Sequence, residues 1–249
     1  MMRILILNPN TTDEVTAIML EAGREAASQG VEVEAITAPR GFPYIASRAE
    51  AQIGGAIALE MLAEARGHYD AAILAAFGDP GLLGARELFD FPVIGISEAA
   101  MLTACMLGGR FLIVTFASAL CGWYRDCVAM HRLEDRCAGV VALDRSFGSL
   151  ADARETNWSE LVALANAAVA ERDADVAILA GAPLAGLAAR ARELIHVPVV
   201  DPIAAAVKQA EALVALRAIK ASQGSFRRPA PKASTGLPPK LAAYLEHAQ

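Results

Sequence analysis

The chain has 249 residues, of which 55% are hydrophobic and only 6% aromatic, and its formal net charge at pH 7 is −6. This length allows one large domain or two small ones. The negative charge argues against a nucleic-acid partner, which needs a basic face. No run reaches the roughly 18 apolar residues of a membrane span, and the first residues lack a signal-peptide layout. We therefore expect no membrane partner and a cytoplasmic location.

The first half predicts alternating strands and helices. Strands are predicted at residues 3–7, 31–37, 71–76 and 93–96. The first is a short, β-branched, unalternated apolar run, which is typical of a parallel strand covered on both faces. Helices are predicted at 13–28, 49–66, 81–89 and 97–107. The first helix follows Asn10 and Thr11, which are good N-caps. Residues 38–47 form a loop that carries Tyr44.

The second half gives the same alternation. Strands are predicted at residues 111–114, 138–143, 176–179 and 197–200, and helices at 119–132, 158–172, 184–194 and 203–220. Residues 145–156 are irregular and polar. Residues 221–239, rich in Ser, Pro and Lys, predict an extended arm. A short helical segment at 241–246 follows.

The two halves also repeat each other. Residues 70–98 and 175–204 each contain an Asp, an apolar run, a turn of small residues, Ala-Arg-Glu-Leu, Pro-Val and a second apolar run, in that order. Residues 3–11 match 110–118 in the same way. We predict an α/β protein of two pseudosymmetric, Rossmann-like (flavodoxin-like) parallel-sheet domains with the site in the cleft between them. Residues 1–98 with 205–220 form the first domain, 99–204 the second, and 221–249 the C-terminal arm.

Five motifs resemble the aspartate/glutamate/hydantoin racemase superfamily, in particular its hydantoin and allantoin racemases. They are LNPNTT at 7–12, YIASRAEA at 44–51, AFGDPGLLGARE at 76–87, PVIGISEAA at 92–100 and VPVVDPIAAAVKQAEAL at 197–213. The resemblance covers residues 2–220. It implies an active site in which one thiolate removes the proton alpha to a carbonyl and a second thiol delivers a proton to the opposite face. The implied thiol positions are Ala76 and Gly181, which can move no proton. We therefore expect a cysteine-less site.

The candidate catalytic group is Asp79, whose alternative role is to cap the helix beginning near residue 81. The candidate substrate-binding residues are those of the loops expected to converge on the cleft: Asn10, Thr11, Tyr44, Ala76, Phe77, Gly78, Thr115, Phe116, Ser118, Cys121, Gly181, Ala182 and Pro183. Cys105, Cys127 and Cys137 are expected to be core thiols, and His131 to end a helix where its charge suits the dipole. No metal is expected, because Cys121 and Cys127 lack a zinc-ligand spacing. No cofactor is expected either, because no glycine fingerprint follows the first strand.

Three functions remain open. The first is an isomerase-type enzyme acting alpha to the carbonyl of a small cyclic amide or carboxylate, with a non-thiol acid/base. The second is a lyase that decarboxylates and needs one proton donor, or a ring-opening hydrolase in which Asp79 activates water. The third is a non-catalytic small-molecule binding protein. Cysteines restored at residues 76 and 181 are expected to create racemase activity. The Ala-rich helices predict a homo-oligomer.

Overall fold

Strands and helices alternate along the chain, of which this computed structural model describes residues 1–143 and 157–248. The strands are β1 (Met2–Asn8), β2 (Val31–Thr37), β3 (Ala71–Leu74), β4 (Val93–Gly95), β5 (Phe111–Thr115), β6 (Cys137–Ala142), β7 (Val176–Leu179) and β8 (Val199–Val200). The helices are α1 (Asp13–Ala26), α2 (Arg48–Glu64), α3 (Leu82–Leu88), α4 (Ile96–Leu107), α5 (Leu120–Met130), α6 (Trp158–Arg172), α7 (Ala188–Ala191), α8 (Pro202–Ala215) and α9 (Pro239–Glu246).

The strands form two four-stranded parallel sheets of matching topology. Their orders are β2-β1-β3-β4 and β6-β5-β7-β8. Successive side chains of β1 point to opposite faces of the sheet, and both faces are covered, so all the residues from Ile4 to Leu7 are apolar. Ile4 and Ile6 join a core that extends into the second half, whereas Leu5 and Leu7 pack in a separate cluster under α2 and α3. The α/β class with two repeated parallel sheets is confirmed.

Two helices cross from one half to the other. α4 follows the first sheet in the chain but packs on β5, β7 and β8, whereas α8 follows the second sheet and packs on β1, β3 and β4. The two helices also pack against each other, and the Gln209 side chain donates to the carbonyl of Ala99 at 3.0 Å. Each sheet is therefore covered partly by a helix that follows the opposite sheet in sequence.

Two predicted helices are shorter than expected. The segment 184–194 is not one helix, because Ala182–Leu184 forms a 3-10 turn and only α7 is helical beyond it. Gly186 breaks the segment: its φ is +78°, and its N–H donates to the Asp201 carboxylate at 2.6 Å. The segment 203–220 ends at Ala215, and Arg217 follows with a φ of +52°. The irregular stretch 145–156 lies outside the described residues.

The C-terminal arm returns to its own chain. Leu241 and Tyr244 of α9 are buried in the cluster under α2, and the Tyr244 ring meets the Phe89 ring edge-on at 4.8 Å. The guanidinium groups of Arg66 and Arg228 lie over the Tyr244 ring at 4.7 and 5.2 Å. The arm thus covers apolar surface of the first half.

Tyr244→Ala is expected to lower the free energy of unfolding by about 3 kcal/mol, because it removes a buried ring that fills this cluster. Tyr244→Phe is the matched control, with an expected change within about 1 kcal/mol, since the phenol oxygen has no hydrogen-bond partner among the described residues. Urea unfolding measures both. Equal stability of the alanine variant and the wild type would show that α9 does not pack on the domain in solution.

Candidate active site between the two halves

The two positions implied for thiols occupy equivalent places at the strand tips. The N–H of Ala75, just beyond β3, donates to the carbonyl of Leu7 at 2.9 Å, and the N–H of Ala180, just beyond β7, donates to Val114 at 2.8 Å. Ala76 and Gly181 are the next residues in each copy. The internal repeat therefore holds at the level of individual backbone hydrogen bonds.

Buried polar groups fix the loop after β1. Asn8 is fully buried, and its side chain holds the Asn10 amide oxygen at 3.0 Å. That oxygen also accepts from the N–H of Thr12 at 3.0 Å. The N–H of Thr11 donates to the carbonyl of Phe42 at 2.9 Å, so the 38–47 loop is attached to this strand tip. Because the Asn10 oxygen is used inside the loop, its NH2 group is the part that can meet a ligand. The predicted side-chain N-cap is absent, since Thr12 makes no such bond.

Aromatic side chains from both halves meet at the strand tips. The Tyr44 ring lies 5.9 Å from the Phe116 ring, and the Phe77 ring lies 4.7 Å from the Tyr124 ring. Each pair joins a residue of the first half to one of the second. The 38–47 loop, the end of β3, the end of β5 and the start of α5 are therefore in contact.

Phe116 also fills the space beside Gly181. A Cβ atom at residue 181 would lie 2.5 Å from the Phe116 ring, and the φ of Gly181 is +115°, which L side chains rarely adopt. Gly78 is similar, because its φ is +112° and a Cβ there would overlap the Trp123 ring. Ala76 and Phe77, which precede Gly78 in the chain, are both buried.

The other predicted residues of the second half differ in exposure. Thr115 is fully buried, and its hydroxyl lies beside the Tyr124 phenol, whose pKa it lowers against the larger effect of burial. Ser118 is exposed, whereas Cys121 is a half-buried free thiol whose pKa is raised by burial. Ala182 and Pro183 begin the turn that follows Gly181. Thr115 is thus the second-half polar group held most deeply at a strand tip.

Two phenols belong to this cleft, although only one was predicted from the sequence. Tyr44 keeps 39% of its surface exposed, but burial of its phenol end, with the Glu50 carboxylate nearby, raises its pKa. Burial, followed by the influence of Tyr44, raises the pKa of Tyr124 well above its ordinary value. Both phenols therefore keep their protons at neutral pH.

Backbone N–H groups at the start of α4 hold the Asp79 side chain. Its carboxylate is buried and accepts from the N–H groups of Ser97 and Glu98, each at 2.9 Å, and so caps α4. The predicted cap of the helix near residue 81 is wrong, because Gly81 is the N-cap of α3 and no side chain caps it. The absence of a Cβ at Gly95 admits the Asp79 carboxylate to this position.

His131 completes a buried ionic chain across the two halves. Its Nε2 lies 3.1 Å from Asp79 Oδ2, and its Nδ1 lies 3.4 Å from Glu98 Oε1, which also pairs with Arg86. Burial opposes the imidazolium, but the bonds with Asp79, Cys127 and Glu98 outweigh it and raise the pKa of His131 to about 11. Burial likewise opposes ionised Glu98, yet His131 and Arg86 lower its pKa to about 2. His131 is thus a buried cation between two carboxylates.

A cavity of about 580 Å³ lies beside this ionic chain rather than at the thiol positions. It is formed by α2, the 78–81 turn and α5, and an ion pair between Arg48 and Asp126 contributes to its wall. Of the residues predicted for the site, only Gly78 and Asp79 line it. Trp123 also lines the cavity, and its ring packs against Gly78.

Three residues that matter here were not predicted: Tyr124, Cys127 and His131. The sequence carries one usable signal, because residues 127 and 131 are four apart on a helix and must share a face. Their partner Asp79 lies 52 residues from His131 in the chain, so no local pattern indicates it.

The chain is similar to known proteins in both sequence and structure. The Asp/Glu/Hydantoin racemase family model matches residues 4–210. A hydantoin racemase from Paenarthrobacter aurescens is 29% identical over 233 residues, covering 93% of this chain and 99% of that protein. Another from Rhizobium meliloti is 31% identical over 237 residues, covering 94% and 98%. The solved allantoin racemase from Klebsiella pneumoniae superposes with a TM-score of 0.90 at 33% identity, covering 97% and 99%. In the described residues, no helix is both long and apolar enough to cross a membrane. Because the family model matches most of the chain and a relative aligned over almost its whole length is 31% identical, the chain belongs to the Asp/Glu/hydantoin racemase family.

Proposed function

We propose that the chain is a racemase-type isomerase that moves the proton alpha to a carbonyl of a small cyclic amide of the hydantoin or allantoin class. The proposal is supported by the similarity of almost the whole chain to hydantoin racemases and to the solved structure of an allantoin racemase. A cleft between two copies of one unit suits this reaction, because the planar intermediate can be approached from both faces by groups of different halves.

The proton carriers in this proposal are phenols. Ala76 and Gly181 carry no acid or base, and Phe116 occupies the space beside Gly181. Tyr44 of the first half packs on Phe116, Tyr124 of the second half packs on Phe77, and Tyr44 is among the groups that raise the pKa of Tyr124. This pair of phenols from opposite halves is the observation that carries the proposed mechanism. The buried hydroxyl of Thr115 and the Asn10 NH2 group would donate to the developing oxyanion.

We assign Asp79 a structural role in place of the catalytic one. Both of its oxygens already accept backbone N–H groups, and one also faces His131. A fully buried carboxylate with these partners is placed to hold the start of α4 and His131 rather than to reach a substrate proton. This geometry also disfavours the ring-opening hydrolase, in which Asp79 would activate water.

Decarboxylation is the second candidate, and the protonation of the phenols favours it. Burial raises the pKa of both Tyr44 and Tyr124, so at neutral pH each phenol can give a proton, whereas only a small fraction is in the phenolate form that can take one. Loss of carbon dioxide generates the same enolate without a base, and a single phenol then suffices to protonate it. The two reactions therefore share one cleft and differ in whether a base is needed.

The test is proton NMR in D2O with hydantoins, allantoin and substituted malonates as substrates. Isomerisation places deuterium on the alpha carbon of a cyclic amide without other change, whereas decarboxylation releases carbon dioxide from a malonate. Tyr44→Phe and Tyr124→Phe are each expected to lower the rate by about 10²-fold or more. Tyr69→Phe is the matched control, since its hydroxyl bonds Glu34 outside the cleft. Binding of these compounds without exchange or carbon dioxide release would contradict both reactions.

The dependence of the rate on pH separates the two reactions. An isomerase that uses a phenolate base is expected to become faster as the pH rises through the alkaline range, because the raised pKa values leave little phenolate near pH 7. A decarboxylase that needs only a protonated phenol is expected to hold its rate across neutral pH. A maximum below pH 7 would contradict both phenol mechanisms.

A further inference from the structure

Three side chains with metal-binding atoms meet at the cavity beside the cleft. A carboxylate oxygen of Asp79, the sulfur of Cys127 and a ring nitrogen of His131 all lie within 4.8 Å of one another. Asp79 and Cys127 are buried, yet both contribute to the wall of the cavity of about 580 Å³. We propose that Asp79, Cys127 and His131 form a Zn²⁺ site whose fourth position faces this cavity.

The donor atoms suit this ion. Zinc accepts sulfur, imidazole nitrogen and carboxylate oxygen in a tetrahedral arrangement, and three protein ligands leave one position open to water or another ligand. Two ligand atoms at about 2.0 to 2.1 Å from zinc lie about 3.3 Å apart in a tetrahedron. His131 Nε2 and Asp79 Oδ2 are separated by 3.1 Å, so an ion can bridge them with little movement.

The surrounding groups already orient the three ligands. The other ring nitrogen of His131 lies 3.4 Å from Glu98, and Glu98 is held by Arg86, which gives the carboxylate–histidine pairing common around zinc. The Asp79 carboxylate is fixed by the N–H groups of Ser97 and Glu98. Cys127 and His131 are four residues apart along α5 and its C-terminal end, so both approach the same point.

The exchange of protons for metal keeps the charge of the cluster constant. On binding, His131 gives up the proton that it shares with Asp79, and Cys127 gives up its thiol proton. One divalent ion therefore replaces two protons. Because Asp79 comes from the first half and the other two ligands from the second, a bound ion would join the halves. This proposal does not rest on the proposed function, since the site lies outside the strand-tip contacts.

The experiment uses the full chain, stripped with a chelator and titrated with Zn²⁺ by calorimetry and with Co²⁺ by absorption spectroscopy. We expect one ion per chain and a thiolate-to-cobalt charge-transfer band. Cys127→Ser should remove that band and weaken Zn²⁺ binding by more than about tenfold. Glu98→Gln should weaken Zn²⁺ binding by about 10-fold to 100-fold. The matched control is Cys137→Ser, which alters a free thiol outside the cluster and should change neither signal.

The wild-type spectrum alone can overturn the proposal. A Co²⁺-saturated protein without a thiolate-to-cobalt band would show that Cys127 is not a ligand, and so would Zn²⁺ binding that Cys127→Ser leaves unchanged. An unchanged band in Cys127→Ser would do the same. Circular dichroism of both serine variants shows whether each is folded, and the wild-type result stands even if one is not.

Discussion

Replacing His131 with glutamine is expected to lower the free energy of unfolding by about 3 to 5 kcal/mol in metal-free protein. The His131 side chain is only 6% exposed and lies between Asp79, whose side chain is fully buried, and Glu98. Glutamine fills much of the same space but carries no charge. The variant therefore leaves the buried Asp79 carboxylate and the half-buried Glu98 carboxylate without the cation that joined them, and Arg86 pairs with Glu98 alone.

Urea unfolding at pH 7 in the presence of a chelator measures this change. His196→Gln is the matched control, because His196 is exposed and its backbone N–H, which the substitution keeps, donates to the Asn166 side chain at 3.1 Å. We expect that control to stay within about 0.5 kcal/mol of the wild type. Equal effects of the two substitutions would show that the ionic chain contributes nothing to stability.

The stability of the wild type and of His131→Gln, measured as a function of pH, tests the raised pKa of His131. The folded-state pKa of His131 is raised from 6.5 to about 11. Its contribution to stability is therefore complete below pH 6.5, declines between pH 6.5 and about 11, and is absent above that. The difference in stability between wild type and His131→Gln should shrink as the pH rises from 6.5 to 10. A difference that stays constant would contradict the raised pKa. Other groups titrate in both proteins and largely cancel.

Introducing cysteine at residue 181 is expected to destabilise the protein by about 2 to 5 kcal/mol. Two effects add: the backbone φ of +115° is unfavourable for any L side chain, and the new Cβ would lie 2.5 Å from the Phe116 ring. Ala76→Cys is the matched control at the equivalent strand tip. Ala76 already carries a Cβ and does not have a positive φ, so we expect a change of less than about 1.5 kcal/mol.

This difference changes the expectation that two restored cysteines create racemase activity. The double variant should be poorly stable and should gain no activity over the wild type, because the thiol at 181 cannot occupy the cleft while Phe116 stays in place. Adding Phe116→Leu should recover part of the lost stability, and only this triple variant is expected to exchange an alpha proton faster than the wild type at neutral pH. Thermal unfolding and NMR exchange in D2O measure the two effects. A double variant as stable as Ala76→Cys would contradict the proposed clash.

The sequence predicts most of the fold because its signals are local. β2 and β7 have the predicted bounds, since each is rich in β-branched residues and lies between residues that favour turns. The helix expected at 184–194 fails for a reason that the sequence does not express. A buried carboxylate, Asp201, binds the N–H of Gly186, and this tertiary contact outweighs the helical preference of the alanines nearby.

The site is less predictable because its contacts join distant segments. Repetition alone places Ala76 and Gly181 at equivalent strand tips. Nothing in the sequence shows that Phe116 fills the space beside Gly181, or that Asp79 turns away from α3 to cap α4. His131 reads as the last residue of an amphipathic helix until its buried partner is known. Charged residues whose partners lie in the other half therefore need three-dimensional information.

The exchanged positions of α4 and α8 have a consequence for motion. A hinge that swung the two sheets apart would have to pull α4 off the sheet that it covers, or α8 off the other, and expose apolar surface on both. Ligand entry should therefore depend on displacement of short surface segments such as 38–47, with the halves remaining a single mechanical body. For the same reason, a chain cut between α4 and β5 should yield two fragments that are insoluble apart and recover structure only when mixed.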